Sequence, residues 1–309
     1  MSFTAQDVKA LREKTGVGMM KCKQALTEAD GDMDKAIDIL REQGAAVSAK
    51  KAGRAAADGV VLAYTDEAAK VSVLVEVNSE TDFVAKNEKF TDFVLGVAKT
   101  IAAENPADVD ALNEMNLYGT DRSIQETLQD LVLSIGENMK IRRFVREEGH
   151  IASYIHMGGA VGVLVKFDTT DDIAATEEFK VMGKDVAMQI AAMTPLYLNP
   201  ESVPADVVEH EKGIIKVQLS EDPKMAGKPE KVLEGIISGK LNKYYKENCL
   251  LNQEFVKAEN HEDVAKYIAS VAKKLGGDIK AVSFVRYAKG EGIEKKEENF
   301  AAEIASLVK

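Results

Sequence analysis

The chain has 309 residues, of which 45 % are apolar and 29 % are charged, and this composition indicates a globular protein of roughly two domains. Its formal net charge of −11 disfavours direct binding of nucleic acid, because phosphate groups repel an acidic protein. No run of about 18 apolar residues could span a membrane, and the N-terminus lacks the apolar run of a signal peptide, so we expect a cytoplasmic protein with no membrane partner.

The first part of the chain predicts three short helices. Thr4 can cap the first helix, with Asp7 in the acidic position of a capping box. Asp32 can cap the third helix, and Gly44 is a typical stop at its C-terminal end. A core of this size is marginal by itself, so we expect a compact helical domain that occupies residues 1–55 together with its linker.

A repeat follows the N-terminal helices. Shifting the chain by 90 residues (149 − 59) aligns GVVLAYTDEAAKVSVLV, which begins at Gly59, with GHIASYIHMGGAVGVLV, which begins at Gly149. Shifting it by 89 residues (177 − 88) aligns helical segments that begin at Glu88 and Glu177 and end at a proline. A hairpin followed by a helix therefore occurs twice. This repeat predicts an α+β fold whose core consists of two similar subdomains, each an antiparallel sheet plus helices.

The remaining segments are arranged around this duplicated core. Apolar residues at helical spacing on both sides of two proline-containing breaks predict a helical hairpin, a coiled-coil arm inserted into the second half. A helix over 264–275 and a strand over Ala281–Tyr287 would complete that half, and the tail ends in an amphipathic helix. The predicted boundaries are 56–140 for the first half, 141–202 and 248–289 for the second half, 203–247 for the hairpin and 290–309 for the C-terminal helical module.

The tetrapeptide Thr-Asp-Phe-Val occurs twice, at 81–84 and at 91–94. The second copy lies inside the repeated helix, where Phe93 is expected to pack in the core. The first copy lies in the connection between strand and helix, and its counterpart in the second half is the different segment 171–174. Because the repeat does not require Phe83 in this connection, we interpret Phe83 as a candidate for contact with another molecule.

The sequence has no motif for catalysis, a cofactor or a metal. It lacks GxSxG, a P-loop and a recognisable acid–base pair of carboxylates, and it has neither CxxC nor HxxxH, so we expect no catalytic residue and no bound group. Two basic clusters, at 50–54 and 140–146, are interpreted as solvated faces. A solvated position in a hairpin turn is the simpler interpretation of His156, whereas Met19 and Met20 suit either a core or an adaptable contact surface.

Six stretches, in order along nearly the whole chain, resemble the bacterial translation elongation factor Ts family. They are LREKTGVGMMKCKQAL from Leu11, VEVNSETDFVAKN from Val75, IGENMKIRR from Ile135, YIHMGGAVGVLV from Tyr154, DVAMQIAAMTP from Asp185 and GEGIEKKEENFAAEIA from Gly290. The resemblance implies a UBA-like three-helix N-terminal module, a core of two similar α+β halves, an inserted helical hairpin and a C-terminal helix.

The resemblance also implies a function and its residues. Members of this family are guanine-nucleotide exchange factors that bind elongation factor Tu in its GDP-bound and nucleotide-free states, so neither an enzyme nor a cofactor is implied. The family loop that enters the Tu G domain near its magnesium ion and nucleotide phosphates corresponds to Thr81, Asp82, Phe83 and Val84. Further contacts correspond to Arg12, Met19, Met20 and His156. A basic residue that the family places after the hairpin glycines is replaced here by Ala160, which puts its contact in doubt.

Two other kinds of protein are compatible with the sequence. A scaffold or chaperone-type adaptor would bind partners through the N-terminal module and the hairpin without accelerating nucleotide release. An α+β enzyme with a site between the two halves would require polar residues there, and no motif supports it. Self-association as a homodimer, through the hairpin or the core sheets, is left open.

Overall fold

The computed structural model describes residues 3–225 and 227–294, which fold into α-helices and two three-stranded sheets. The predicted α+β class is confirmed. The described helices are α1 (Ala5–Thr15), α2 (Met19–Glu28), α3 (Met33–Lys51), α4 (Asp82–Ala85), α5 (Glu88–Glu104), α6 (Val109–Glu114), α7 (Ile124–Ile135), α8 (Asp171–Ala174), α9 (Glu177–Met193), α10 (Ala205–Glu221), α11 (Glu230–Asn248) and α12 (Val264–Leu275). The described strands are β1 (Asp58–Asp66), β2 (Val71–Ser79), β3 (Met139–Glu148), β4 (His150–His156), β5 (Val161–Asp168) and β6 (Lys280–Ala288).

Contacts between residues divide the described chain into two units. Unit one contains residues 3–146, 157–162 and 287–294, and unit two contains the others. The two sheets have the strand orders β1-β2-β3 and β4-β5-β6. The strand that we expected to open the second half, β3, is therefore hydrogen-bonded into the first sheet. The reason is that Met139 and Ile141 of β3 pack in the same apolar core as β2.

The core of unit one lies between its sheet and α5. β1 and β2 pair as an antiparallel hairpin, from Asp58 opposite Ser79 to Asp66 opposite Val71. All nine residues of β2 are buried, and its alternate valines face α5. Phe93, from the second copy of the repeated tetrapeptide, is 3 % exposed in this core, as predicted.

The three N-terminal helices pack on α7 of the same unit. The predicted capping box of Thr4 and Asp7 is present at the start of α1, and Asp32 caps α3. The prediction that Gly44 ends the third helix is wrong, because α3 continues to Lys51. A side-chain carbon at Gly44 would lie 3.4 Å from the Gln129 carbonyl oxygen, so this glycine allows α3 to approach α7 closely.

The core of the N-terminal helices is completed by a residue from outside them. Leu133 of α7 is buried among Leu11, Cys22, Leu26 and Leu40. A core formed by three short helices alone would be small, and Leu133 extends it across the contact with α7. The N-terminal helices are therefore packed onto the rest of unit one through apolar contact.

Unit two repeats the pattern of a hairpin followed by a helix. α9 packs on β4, as α5 packs on the first sheet, and the predicted helix over 264–275 and the final strand are present as α12 and β6. Both repeated helices end at a residue in the left-handed conformation, Asn105 and Thr194, one position before the proline. The predicted hairpin is formed by α10 and α11, which contact each other.

A buried carboxylate, Glu76, is the centre of a hydrogen-bond network on β2 of unit one. Glu76 accepts hydrogen bonds from Arg142 (3.0 Å), Arg143 (2.6 Å), the Asn78 amide (3.0 Å) and the Gly290 backbone N–H (2.8 Å). Burial raises the pKa of Glu76, but these four donors outweigh it and hold the pKa below its ordinary value. The interpretation of Arg142 and Arg143 as part of a solvated face is therefore wrong.

Both cysteines are buried as free thiols, and we expect them to be inert in the folded protein. Burial raises the pKa of Cys22, and it raises the pKa of Cys249 to about 11. A thiol with a raised pKa carries little thiolate, which is the reactive form. Ellman's reagent at about pH 8 should therefore modify neither cysteine until guanidinium unfolds the chain, when both should react. Rapid modification of the native protein would contradict this prediction.

The predicted amphipathic C-terminal helix falls mainly on 295–309, which lie outside the described residues. Within the described part, none of the helices is both long enough and apolar enough to cross a membrane.

Candidate partner-binding site

The first Thr-Asp-Phe-Val forms a single helical turn, α4, between β2 and α5 of unit one. Phe83 is 79 % exposed, whereas the next residue, Val84, is 4 % exposed and packs in the core. Neighbouring positions on a helix point in different directions, so one turn can hold Val84 inward and display Phe83 outward. The turn thus exposes an aromatic ring, as the sequence predicts. The Val84 side chain is enclosed in the free chain, and contact of this residue with a partner stays a prediction.

The second unit contains the same turn with a different side chain on its surface. α8 occupies the equivalent place between β5 and α9, and Ile173 is buried like Val84. The two turns align at an offset of 89 residues (172 − 83), so the counterpart of 81–84 is 170–173 and not 171–174 as the sequence alignment predicts, and the position equivalent to Phe83 is the exposed Asp172. The fold therefore requires the buried aliphatic residue of this turn but does not require the aromatic one.

A carboxylate from a distant segment holds the start of α4. Thr81 donates its backbone N–H to Glu137 Oε2 (2.9 Å) and its hydroxyl to Glu137 Oε1 (2.7 Å). The Ser79 hydroxyl donates to the Thr81 carbonyl oxygen (2.8 Å). Thr81 therefore has its polar groups occupied inside unit one, and the sequence motif alone did not reveal this arrangement.

The segment that carries Glu137 is itself anchored. The Asn138 backbone N–H donates to Glu80 Oε1 (2.6 Å), and the Asn138 side chain donates to the Arg54 carbonyl oxygen (2.8 Å). Lys51 donates to the Gly136 carbonyl oxygen (2.5 Å). The Lys51 side chain and the Arg54 backbone therefore connect the end of α3 to the support of the exposed turn, while the Arg54 side chain itself is exposed, as a solvated basic face predicts.

Asp82 supplies the negative charge beside Phe83. Its carboxylate is exposed and pairs with Lys86 one turn later, at 2.8 Å. The Lys86 hydrogen bond and charge hold the pKa of Asp82 below its ordinary value, so the carboxylate is ionised near neutral pH. The turn therefore presents an aromatic ring and an ionised acceptor side by side.

The N-terminal helices display the other predicted contact residues of unit one. Arg12 is exposed in the last turn of α1, and Met19 and Met20 are exposed at the start of α2. Between them, Gly16 adopts the left-handed conformation that ends α1. The sequence left open whether these methionines belong to the core or to a contact surface. Met20 is 75 % exposed and therefore does not belong to the core.

His156 ends β4 in unit two and is exposed, as predicted for a residue at a hairpin turn. Its Nδ1 lies 3.0 Å from the Tyr154 hydroxyl, which restrains the ring. The next residue, Met157, is exposed with a φ of 47° and was missed by our sequence reasoning. The sequence signal that could have predicted its exposure is a methionine followed by Gly-Gly at a hairpin turn. Ala160 is half-buried, and its carbonyl oxygen accepts the Lys289 backbone N–H (2.8 Å).

These observations define a class of α+β protein with a duplicated hairpin-and-helix core, a docked three-helix N-terminal module and an inserted helical hairpin. In the described residues, no three His, Cys, Asp or Glu side chains converge to hold a metal ion.

Comparison with known proteins identifies the particular family. Residues 80–291 match the family model of elongation factor TS. An elongation factor Ts from Clostridium kluyveri is 48 % identical over 310 residues, which cover 99 % of each chain. Relatives of the same name from Syntrophotalea carbinolica and Clostridium botulinum are 46 % and 47 % identical over 98 % or more of this chain. The chain belongs to the elongation factor Ts family.

Proposed function

We propose that this chain is a guanine-nucleotide exchange factor in translation elongation, acting in the cytoplasm. It binds elongation factor Tu in the GDP-bound and nucleotide-free states and promotes release of GDP so that GTP can bind. Family membership supports this proposal. The single observation that carries the mechanism is the exposed Phe83 on a turn whose counterpart in the same chain lacks an aromatic residue.

Phe83 acts as a wedge that enters the G domain of Tu. A phenylalanine ring moved from water into an apolar cleft contributes on the order of 2 kcal/mol, which offsets part of the cost of opening the nucleotide site. The turn suits this role because Val84 is anchored in the core and Thr81 is held by Glu137. We assign Thr81 and Val84 to holding the wedge, rather than to direct contact with Tu.

Asp82 weakens the hold of Tu on the magnesium ion that accompanies GDP. That ion is a large local charge in a nucleotide site, so a nearby carboxylate competes for it or for its ligands. Lys86 pairs with Asp82 in this chain, but an exposed ion pair is screened by water and contributes little. The carboxylate can therefore leave Lys86 at little cost when Tu binds.

Arg12, Met19, Met20 and His156 provide further contacts with Tu. Methionine side chains adapt to irregular surfaces, which suits Met19 and Met20 at the exposed start of α2. His156 favours a shifted arrangement of the phosphate-binding loop of Tu. Neither a nucleic acid nor a membrane takes part, and self-association as a homodimer is not needed for this mechanism.

Exchange of this kind requires no covalent chemistry, so the chain is not an enzyme in the sense of possessing catalytic side chains. Coupling between two ligands is reciprocal: if this chain weakens GDP binding to Tu, GDP weakens the binding of this chain by the same factor. Either nucleotide can then displace the chain, which completes the exchange.

The test is the release of a fluorescent GDP analogue from the cognate Tu, followed by stopped flow. We expect the wild-type chain to accelerate release strongly, and amide hydrogen exchange in the complex to show protection around Phe83, Met20 and His156. Binding without acceleration would support the adaptor alternative and refute the exchange function. Absence of protection at Met20 or His156 would remove that residue from the interface.

A further inference from the structure

We propose that Glu137 is a positioning residue that fixes the turn carrying Phe83, and that it does so through Thr81. The consequence for exchange rests on the proposed function, whereas the effect on the turn itself does not. The two oxygen atoms of Glu137 receive the two donors of Thr81, at 2.9 Å and 2.7 Å. Hydrogen bonds that end on a charged acceptor are stronger than neutral ones, and the paired arrangement fixes direction as well as distance.

The turn needs an external support because it cannot hold itself. α4 has only four residues, and a helix of one turn gains too few hydrogen bonds to offset the entropy of ordering its backbone. Thr81 is its N-cap residue, yet the Thr81 hydroxyl makes no capping bond within the turn. That hydroxyl is used instead to attach the turn to Glu137, 56 residues further along the chain.

The base of this attachment is rigid. Glu137 follows Gly136, which ends α7 in the left-handed conformation. Asn138 on its other side is buried and hydrogen-bonded to Glu80 and to the Arg54 carbonyl oxygen. The carboxylate therefore extends from a segment whose backbone is held on both sides.

The duplication inside the chain provides an independent comparison. In unit two, α12 also ends at a left-handed glycine, Gly276, and is followed shortly by a strand, as α7 is followed by β3. The residue after that glycine is Gly277, where unit one has Glu137. A side-chain carbon at Gly277 would lie 2.4 Å from Ile173 Cδ1, so a larger residue there would require the Ile173 side chain to move.

The start of the second turn also differs. Thr170, the N-cap residue of α8, is exposed, and the hydroxyl that reaches a distant segment is that of the preceding residue, Thr169, which donates to the Asp278 carbonyl oxygen (2.8 Å). The unit that displays Phe83 therefore has the carboxylate support, and the unit that displays Asp172 lacks it. The turn in unit two is held by other contacts, from the Thr169 hydroxyl to the Asp278 carbonyl oxygen and from His150 Nε2 to Asp171 Oδ1 (3.1 Å), so the Glu137 support is particular to the unit that presents Phe83.

A fixed turn improves binding because a side chain that is already oriented loses less conformational entropy when its partner arrives. Removing the attachment should therefore reduce the efficiency of GDP release by about tenfold, the size expected for hydrogen bonds to a charged group. The effect should act through Phe83 and should vanish when the ring is absent.

The experiment uses the full chain with Glu137→Gln, Thr81→Val, the two combined, and Glu114→Gln as a control at an exposed position. In the free protein, we expect the Thr81 amide to exchange slowly in the wild type and rapidly in Glu137→Gln. The double variant should be no worse than either single variant, because both break the same contact. Thr81→Ser, which keeps both donors, should behave like the wild type.

The link to Phe83 is tested in the exchange assay. Glu137→Gln should reduce release efficiency in the wild-type background but have no further effect in Phe83→Ala. An equal reduction in both backgrounds, additive effects of Thr81→Val and Glu137→Gln, or a Thr81 amide that stays protected without Glu137 would each overturn the proposal. If the wild type itself fails to accelerate release, the proposed function fails, while the amide measurement and the double variant still decide whether Glu137 holds the turn.

Discussion

Phe83→Ala is expected to accelerate GDP release from Tu about 30-fold less efficiently than the wild type. The ring is 79 % exposed in the free protein, so its removal costs the folded chain little. The loss appears when Tu binds, because the variant lacks the roughly 2 kcal/mol that burial of the ring contributes. Each 1.4 kcal/mol corresponds to about a tenfold change in the efficiency of release. The measurement is the rate of release of fluorescent GDP as a function of the concentration of the chain.

Phe93→Ala is the matched control, because it removes the same ring from the other copy of the tetrapeptide. Phe93 lies in the core of unit one, so this change should destabilise the protein by about 3–5 kcal/mol. Per folded molecule, however, it should leave GDP release close to that of the wild type. The wedge mechanism would be refuted if Phe83→Ala released GDP as well as the wild type, or if Phe93→Ala were the more damaging change at equal folded concentration.

Glu76→Ala is expected to lower the free energy of unfolding by about 3–5 kcal/mol, the usual cost of breaking a buried ion pair by removing one partner. Glu76 is fully buried, and its loss removes the carboxylate that Arg142 and Arg143 share, leaves them with their contacts to Glu291 and Ala288, and takes away the acceptor of the Gly290 N–H. Chemical denaturation measures the change. Glu67→Ala, at an exposed turn between β1 and β2, should stay within about 0.5 kcal/mol of the wild type.

The same carboxylate predicts a pH dependence of stability. The pKa of Glu76 is lower in the folded protein than its ordinary value of 4.5, so the unfolded chain binds the proton more tightly. The stability that Glu76 contributes is therefore present above pH 4.5 and is lost as the pH falls through the folded pKa. Glu76→Gln should show a flatter decline in stability on acidification than the wild type. Parallel curves for the two proteins would show that Glu76 does not titrate in this way.

Much of the fold was predictable because it depends on local sequence. The caps of α1 and α3, the extent of α12 and the ends of α5 and α9 before a proline follow from residues a few positions apart. The repeat distinguished the two copies of the tetrapeptide, since only the second copy falls within the duplicated helix. The family and the exposed position of Phe83 followed from the same stretches of sequence.

Other features were not predictable, because they depend on which distant segments pack together. A glycine that fits a helix end is indistinguishable in sequence from one that lets two helices approach, as Gly44 does. An arginine-rich strand has the composition of a solvated face until a buried Glu76 lies opposite it. From the sequence, β3 could have joined either sheet. It belongs to the first sheet, because Met139 and Ile141 are buried in the same core as β2.

The exposed turn combines both kinds of information. By itself, the sequence determined that a connection between strand and helix occurs twice and that only one copy carries Phe83, since these properties depend on composition and spacing along the chain. Only the tertiary structure decided that Val84 points inward and that Glu137 holds Thr81. The reason is physical: a hydrogen bond between residues 56 positions apart requires the folding of everything between them, and no local pattern records the distance that results.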